Sequence, residues 1–303
     1  MFLGLKEAFI DVYDKKYKEL MILTIVILFL AIGVLAYNYF ATGEFIKKGV
    51  SLSGGIELTI PIFKQVDTTE LERSIVKASP ESDVSVRSIS EFGNPKSLIV
   101  EASNIDEKTL LDLLKNAGFS LRDGEYTSVN LGSALGSQFF KQMVIAVIFA
   151  FLAMSAVVLI TFRVLVPSLF VILAAASDIL ITLAIVSLLG VKLSMSGIGA
   201  FLMLIGYSVD TDILLTTRVL KRTEGTILDR TLGAMRTGLA MSLTSFVAVV
   251  IGYIVTPSDL IKQMMLILAI GLFFDILNTW VQNAGILRWY LEWKANKEGK
   301  KHE

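Results

Sequence analysis

The sequence predicts a polytopic α-helical membrane protein with six transmembrane helices and one extracytoplasmic α+β domain between the first and second helices. Hydrophobic residues make up 54% of the 303 residues and only 18% are charged, against about 25% in ordinary soluble domains. Six runs are long enough to cross a bilayer, which takes about 20 mostly apolar residues. One charged segment, residues 44–141, interrupts these runs with the short alternating patterns of a mixed α+β domain.

The N-terminal flank, residues 1–20, mixes apolar residues with several lysines. It is expected to form either a short amphipathic helix on the membrane surface or a solvated basic flank that holds the next span in place. Residues 21–43 carry no charge and form the first predicted span. This run is too long for a signal-peptide core, so we expect it to be retained.

Residues 44–141 form the predicted extracytoplasmic domain, in the order strand, helix, strand, strand, helix, strand. This order is typical of a ferredoxin-like α+β sandwich, in which both helices pack on a sheet. Thr68 is the predicted N-cap of the first helix, and Gly118 is predicted to stop the second. The predicted strands cover residues 57–60, 83–87, 97–101 and 126–131, and the predicted helices cover residues 68–77 and 106–116.

Residues 142–289 form a predicted five-helix membrane bundle. Its spans are expected at residues 142–162, 164–191, 193–217, 237–258 and 263–287, before a polar tail at residues 290–303. Lysine and arginine concentrate in the short flanks on one side, whereas the short loops on the other side hold only Lys192 and Lys262. Because positive flanks stay in the cytoplasm, we expect a multi-pass protein of the cytoplasmic membrane with both termini inside.

The composition also excludes several kinds of chemistry. There is no cysteine, and therefore no disulfide framework, thiol nucleophile or thiolate metal site. The single histidine, His302, lies in the polar tail, where it cannot serve as a buried proton relay. We expect no enzymatic activity, no cofactor and no metal site, and the zero net charge gives no reason to expect nucleic acid binding.

Four aspartates lie inside the predicted spans: Asp178 in the third, Asp210 and Asp212 in the fourth, and Asp275 in the sixth. An ionised carboxylate near the bilayer centre costs at least ~2.5–3.5 kcal/mol, so each needs a partner, water or a proton. No lysine or arginine lies at this depth, which predicts aspartates that are protonated or paired with a cation of another chain. At least one is expected to titrate during function, and the candidates for the dominant role rank as Asp210, Asp178, Asp275 and Asp212.

The neighbours of these aspartates suggest different roles. Asp178, Asp210 and Asp275 lie at similar depths and are expected to meet in the bundle interior. At about 100° per residue, Asp210 and Asp212 point to roughly opposite sides of their helix. Ser208 lies one turn before Asp212 and is expected to donate to it, which favours a structural role for Asp212.

Further small and polar residues accompany the aspartates. Asp210 shares its face with Gly206, where another helix can approach closely. In the sixth span, Asn278 and Gln282 lie on the same face as Asp275. Any single aspartate can instead hydrogen-bond a serine of a neighbouring helix and be structural, but a structural role for all four is a weaker hypothesis.

Several segments resemble motifs of the SecD/SecF family of protein-export membrane proteins, in its SecF branch and within the RND superfamily. Residues 206–213 read G-Y-S-V-D-T-D-I, similar to the family's G-Y-S-V-N-D-T-V, and residues 49–55 read G-V-S-L-S-G-G, similar to G-I-D-F-T-G-G. Residues 129–136, V-N-L-G-S-A-L-G, resemble a V-G-P-x-x-G-type segment. Residues 236–245, R-T-G-L-A-M-S-L-T-S, resemble the R-T…T-S-L-T-T opening of the fifth span, and Asp178 stands where the family has an H-D pair.

The chain also departs from these motifs. Asp210 stands where many bacterial relatives have Asn, and Thr211 stands where they have Asp. Ser51 replaces the Asp of the family's G-x-D-F motif, and no proline follows Asn130. These departures resemble an archaeal branch more than a bacterial one. Because the aspartates are shifted by one position, no aspartate of this chain stands at the acidic position of the family's motif in the fourth span.

The resemblance covers essentially the whole chain and implies a function in protein export. It implies pairing with SecD, a similar six-span protein, and association with the Sec translocon of SecY/SecE type to promote export of unfolded polypeptides, in bacteria with the proton gradient. It singles out Arg236 as a motif residue. Four glycines, Gly54, Gly55, Gly132 and Gly136, flank the domain where it joins the membrane and are either hinges or turn glycines.

Three other functions have to be weighed. Half of an RND-type exporter for lipids or small molecules would share the bundle and the carboxylates, although the outer domain is small and single. An intramembrane aspartyl protease requires a Y-D pair and a G-x-G-D segment, but Asp178 follows Ser177 and Asp210 follows Val209. A purely structural scaffold for the translocon is the third alternative.

Overall fold

The protein is described by a computed structural model that covers residues 10–80, 82–91, 94–119, 121, 124–222, 224–256 and 258–299. Within these residues, six helices are long and apolar enough to cross a membrane. The first five spans are Tyr17–Thr42, Ser133–Phe162, Leu165–Leu188, Met195–Lys221 and Ile227–Val255. The sixth consists of two α-helices, Asp259–Leu277 and Ala284–Gly299, joined by a π-helical turn, Asn278–Asn283.

The spans are longer than their apolar runs. The second helix already begins at Ser133, inside the segment that the sequence assigns to the outer domain. The fifth begins at Ile227 because Thr226 and Asp229 form a capping box there. The sixth continues to Gly299, so the first part of the predicted polar tail is helical, while His302 lies outside the described residues.

The described part of the N-terminal flank is a packed helix. Residues 10–15 are helical, and a bend at Lys16 leads into the first span. Arg288 of the sixth helix pairs with Asp14 at 2.7 Å, and its guanidinium lies 4.2 Å from the centre of the Tyr17 ring. Tyr17 Oη donates to Glu292 at 2.5 Å. These contacts fasten the flank to the end of the chain, while Asp11, Val12, Lys15 and Lys16 stay exposed.

The domain between the first two spans is the predicted ferredoxin-like sandwich. Its four strands form one antiparallel sheet in the order β2-β3-β1-β4, and its core is built from alternate strand residues and one face of each helix. The strands are β1 Gly55–Pro61, β2 Val84–Glu91, β3 Asn94–Ala102 and β4 Thr127–Leu131, and the helices are α1 Thr68–Ala78 and α2 Glu107–Asn116.

The caps of the domain helices refine the prediction. Asp67, and not Thr68, is the N-cap of α1, because its side chain accepts hydrogen bonds from the backbone N–H groups of Thr69 and Glu70. Asp106 caps α2 in the same way. Gly118 follows α2 with a φ of 96°, a left-handed conformation that ends the helix.

The domain is tied to one end of the bundle by backbone and side-chain bonds. The N–H of Leu193, in the loop between the third and fourth spans, donates to Lys47 O at 2.8 Å, and the N–H of Gly49 donates to Leu193 O at 2.8 Å. Lys192 Nζ pairs with Asp83 of the domain at 2.8 Å. The domain is therefore held against this loop, which lies at what we call the domain end of the bundle.

The spans differ in how deeply they are buried within the chain. Half of the most apolar stretch of the third span is buried, and 56% of that of the fourth, against 6% for the second and 11% for the fifth. The third, fourth and sixth helices pack around a common interior, whereas the second and fifth present most of their surface outward. The helices that carry the four aspartates are thus the central ones.

Candidate intramembrane carboxyl site

Asp178 is the best-connected of the intramembrane carboxyl groups. It is completely buried in the third span. Ser208 Oγ of the fourth span donates to its Oδ2 at 2.5 Å, and Asn278 Nδ2 of the sixth helix donates to its Oδ1 at 2.7 Å. One carboxyl group therefore joins the three central helices.

Asp275 lies beside this group. It is buried in the sixth helix, one turn before Asn278, which donates to Asp178. Thr279 Oγ1 lies 3.3 Å from its Oδ1, and Thr211 Oγ1 lies 3.5 Å from its Oδ2. The two hydroxyls are 3.4 Å apart. Thr211, which stands at the acidic position of the family motif, thus contacts an aspartate supplied by another helix.

Asp212 completes the cluster. It is completely buried, and Asn283 Nδ2 donates to its Oδ1 at 2.8 Å. Thr211, the residue before it, contacts Asp275, and Ser208, one turn earlier, contacts Asp178, so the three side chains lie in one interior site. The expectation that Ser208 serves Asp212 is wrong, because the rotation of the fourth helix aims Ser208 at Asp178.

Asp210 does not join the cluster. Its side chain is exposed on the face of the fourth span that points away from the interior. The three carboxyl groups that meet are Asp178, Asp212 and Asp275, and not Asp178, Asp210 and Asp275 as expected. The predicted opposition of Asp210 and Asp212 around the helix is correct, but the face assigned to the interior was the wrong one.

The π-helical turn supplies much of the polar lining. Besides Asn278, Thr279 and Asn283, it contributes Gln282, whose Nε2 donates to Ser177 Oγ at 3.0 Å. All four side chains are buried. A π-turn is wider than an α-helical turn and is frequently found at functional sites. Here it directs four polar side chains from two successive turns towards the third and fourth spans.

Within the described part of the chain, no lysine or arginine forms an ion pair with Asp178, Asp212 or Asp275. Three ionised carboxylates without a counter-charge would be prohibitively costly in a bundle interior, so the cluster requires protons or a cation from another chain. Among the described residues, no group of three or more histidine, cysteine, aspartate or glutamate side chains is arranged to hold a metal ion.

The remaining predicted residues lie outside the cluster. Arg236 is exposed near the start of the fifth span. Gly54 and Gly55 have φ values of 84° and 142°, which favour glycine. A Cβ on Gly136 would lie 2.6 Å from the backbone nitrogen of Gly54, so the two chain segments that join domain and membrane touch there, whereas Gly132 has no atom within 4 Å.

Sequence reasoning missed several members of the site. Thr279 and Asn283 adjoin Asn278 and Gln282 in the chain, and this density of polar residues in a membrane helix was the available signal. For Thr211, the sequence shows only a departure from the family motif. Nothing in the sequence pattern distinguishes the π-turn from a continuous α-helix.

The comparisons with known proteins agree with this architecture. A family model for the protein export membrane protein SecD/SecF, C-terminal region, matches residues 103–293. The SecF protein-export membrane proteins of Methanothermobacter thermautotrophicus and Pyrococcus furiosus are 40% and 36% identical to this chain. Each alignment covers 93% of this chain, and they cover 96% and 93% of the respective relatives.

Two solved structures share the fold. The crystal structure of SecDF, a translocon-associated membrane protein from Thermus thermophilus, matches 91% of this chain with a TM-score of 0.69 and 20% identity. A structure of SecDF in a super-membrane-facing form matches 94% with a TM-score of 0.63 and 21% identity. This chain spans only 38% and 39% of those two chains. From its six apolar helices, its family model and its close SecF relatives, we conclude that this multi-pass membrane protein belongs to the SecD/SecF family of protein-export membrane proteins.

Proposed function

We propose that this chain pairs with a SecD-type six-span protein in the cytoplasmic membrane. The pair would assist a translocon of SecY/SecE type in exporting unfolded polypeptides, with proton movement through the intramembrane aspartates. In this proposal both termini face the cytoplasm, as the distribution of lysine and arginine indicates. The α+β domain then lies outside, where an emerging polypeptide would be met.

The open face of the fourth span is the observation that carries the pairing. We use this name for Gly199, Met203, Gly206, Tyr207 and Asp210, which point away from the bundle interior. Met203 and Tyr207 are 40% and 41% exposed, and neither glycine has an atom within 4 Å of the place where a Cβ would lie. Small residues at helical spacing allow another membrane helix to approach closely.

The charge on this face indicates what kind of helix would cover it. An exposed Asp210 at membrane depth costs at least ~2.5–3.5 kcal/mol if it faces lipid alone. A second copy of this chain, packed symmetrically on the same face, would bring Asp210 against Asp210. A different protein that presents a hydrogen-bond donor or a cation at this depth fits better, which favours a hetero-oligomer.

The interior cluster supports the proton-coupling part of the proposal. Three buried carboxyl groups hold protons without a fixed counter-charge, and each is hydrogen-bonded to a neighbouring helix. A change in protonation would therefore change contacts between the central helices. Coupling between proton movement and helix movement is what a proton-driven export factor requires.

Co-purification tests the pairing. The tagged chain would be extracted mildly from its native membrane, and the proteins that accompany it would be identified. We expect a second six-span protein in stoichiometric yield, together with translocon subunits. Recovery of this chain alone, or only with itself, would contradict the pairing and favour a homo-oligomeric transporter.

Two matched glycine variants locate the surface. Gly206→Leu fills the open face, whereas Gly33→Leu adds the same side chain to the first span, where Gly33 also has no atom within 4 Å. We expect Gly206→Leu to lower the yield of the partner and Gly33→Leu to leave it unchanged. Equal yields from both variants would show that the partner binds elsewhere.

A further inference from the structure

The π-helical turn is held from outside the carboxyl cluster as well as from within it. Tyr13, in the helical segment before the first span, donates from its Oη to the backbone carbonyl of Trp280 at 2.6 Å. The residues are 267 positions apart in the chain, and both are buried. This bond reaches the backbone in the middle of the turn Asn278–Asn283.

A hydrogen bond from outside the helix to this turn bears on its backbone geometry. A π-turn contains one more residue than an α-helical turn, so the regular ladder of i→i−4 bonds is interrupted. Backbone bonds still form across this turn, since the N–H of Ala284 donates to Thr279 O, five residues earlier. The hydroxyl of Tyr13 adds a bond from outside the helix to the carbonyl of Trp280, and this bond holds the backbone in the middle of the turn.

The indole ring of Trp280 fixes the turn from another side. It packs directly against Gly238 of the fifth span, in space that a Cβ would occupy. Around it lie Leu215, Ala234 and Met235 of the same apolar cluster as Tyr13. The backbone and side chain of one residue in the turn are thus both fixed by residues that do not touch the carboxyl groups.

The segment that carries Tyr13 is itself anchored to the end of the chain. Asp14 pairs with Arg288, and Arg288 in turn donates to Glu292 at 2.9 Å. These bonds lie less than three helical turns after Asn283. Residues 10–15 therefore bridge the π-turn and the final helix from the far end of the bundle, opposite the domain.

We propose that Tyr13 is a positioning residue for the intramembrane carboxyl cluster: it stabilises the π-helical register that aims Asn278 at Asp178 and Asn283 at Asp212. It touches none of the carboxyl groups and acts through the backbone of Trp280. If the turn relaxed to a regular α-helix, the side chains on the two sides of Trp280 would rotate relative to each other by about 100° per residue of shift. Asn278 and Asn283 could not then both keep their partners.

This positioning does not vary with pH in the cellular range. Burial raises the pKa of Tyr13 well above its usual value, although the charge of Arg288 opposes this effect. The hydroxyl therefore stays protonated and remains a donor. Tyr13 acts as a constant support, and any change of protonation belongs to the carboxyl groups that it helps to place.

The test compares Tyr13→Phe with Tyr17→Phe. Each variant removes one hydroxyl from a buried tyrosine near the start of the first span, but Tyr17 donates to Glu292 and not to the π-turn. Amide hydrogen exchange would be measured over residues 278–287. The carboxyl stretching bands of the buried aspartates would be recorded by infrared spectroscopy, with Asp178→Asn and Asp212→Asn used to assign them.

We expect Tyr13→Phe to speed exchange over residues 278–287 by roughly fivefold, the effect of one lost hydrogen bond, and to shift the bands of Asp178 and Asp212. Tyr17→Phe should leave both unchanged, even if the two variants lower the melting temperature equally. Unchanged bands in Tyr13→Phe, or the same shift in both variants, would overturn the proposal. Neither measurement depends on export, so a failure of the pairing proposal would not affect this test.

A second variant avoids any change at residue 13. In Gly238→Ala, the added Cβ would collide with the indole ring of Trp280, while the hydroxyl of Tyr13 is unchanged. If the position of Trp280 sets the carboxyl contacts, this variant should shift the same two bands. Bands identical to those of the unchanged protein would contradict the role given to the π-turn.

Discussion

Replacing Asp178 tests whether the carboxyl cluster holds the central helices together. Asp178→Ala removes the acceptor of both Ser208 and Asn278. Asp178→Asn keeps the size of the side chain and an acceptor oxygen, but it cannot take up or release a proton. The two variants therefore separate the structural role of this residue from its proposed role in proton coupling.

The expected magnitude follows from the bonds that are lost. Side-chain hydrogen bonds between membrane helices contribute about 0.6 kcal/mol on average and up to about 1.7 kcal/mol. After Asp178→Ala, Ser208 can turn to a backbone carbonyl of its own helix, whereas the buried amide of Asn278 is left unsatisfied at a cost of about 1–3 kcal/mol. We expect Asp178→Ala to lower the free energy of unfolding by about 2–5 kcal/mol and Asp178→Asn by about 1 kcal/mol or less.

Thr182→Val is the matched control. Thr182 is also completely buried, lies one turn after Asp178 in the same helix, and has a hydroxyl without a hydrogen-bond partner in the described part of the chain. Its removal should be neutral or slightly stabilising. Unfolding by denaturant in detergent micelles would give the three values. Asp178→Ala as stable as Thr182→Val, or Asp178→Asn as unstable as Asp178→Ala, would refute this reasoning.

Three further predictions follow from packing and capping. Gly238→Leu should destabilise the protein by about 1–3 kcal/mol, because an indole ring of the sixth helix fills that space, whereas Gly233→Ala, which meets nothing within 4 Å, should be neutral or stabilising in thermal melting. Gly136→Ala should lower the melting temperature because its Cβ would strike the backbone where the domain begins, and an equal effect of Gly132→Ala would contradict this. Hydrogen bonds from Thr109 lower the pKa of Asp106, so its cap should be complete above the ordinary aspartate range and lost as the pH falls through the lowered value. The protection of amides at the start of α2, relative to their intrinsic exchange rates, should therefore fall on acidification, and an Asp106→Ala variant should lack that dependence.

Hydropathy and residue periodicity were sufficient to predict the six spans and the α+β domain. Long apolar runs predicted the six spans, since a bilayer imposes both length and composition on a helix. Alternating residues such as Leu58 and Ile60 predicted the strands of the domain because one face of a sheet is buried. The ends of the spans were harder to place, because a helix such as Ser133–Phe162 continues beyond the apolar core into polar sequence.

The interior face of the fourth span could not be predicted in the same way. Helical periodicity fixes the angle between Asp210 and Asp212, but not which of them points inward. Both faces of this helix combine small and apolar residues with an aspartate, so composition does not distinguish the packed face from the open one. Only the packing of the third and sixth helices around Ser208 and Asp212 decides the question.

The π-turn had no sequence signal either. A regular helix already places Asn278 and Gln282 on the face of Asp275, so helical periodicity alone predicted these two members of the site. The contact between Asn283 and Asp212, and the bond from Tyr13 to the backbone of Trp280, depend on residues that are distant in the chain. Such long-range contacts are decided by tertiary packing and leave no local pattern.

The most direct measurement of the central claim is export of an unfolded precursor into vesicles that contain the translocon, this chain and its partner, with and without an imposed pH gradient. With the unchanged chain, we predict that the gradient increases export. With Asp178, Asp212 and Asp275 all replaced by Asn, the complex should still assemble but the increase should be lost. An equal increase with the triple variant would contradict proton coupling through the cluster and leave this chain as a structural scaffold for the translocon.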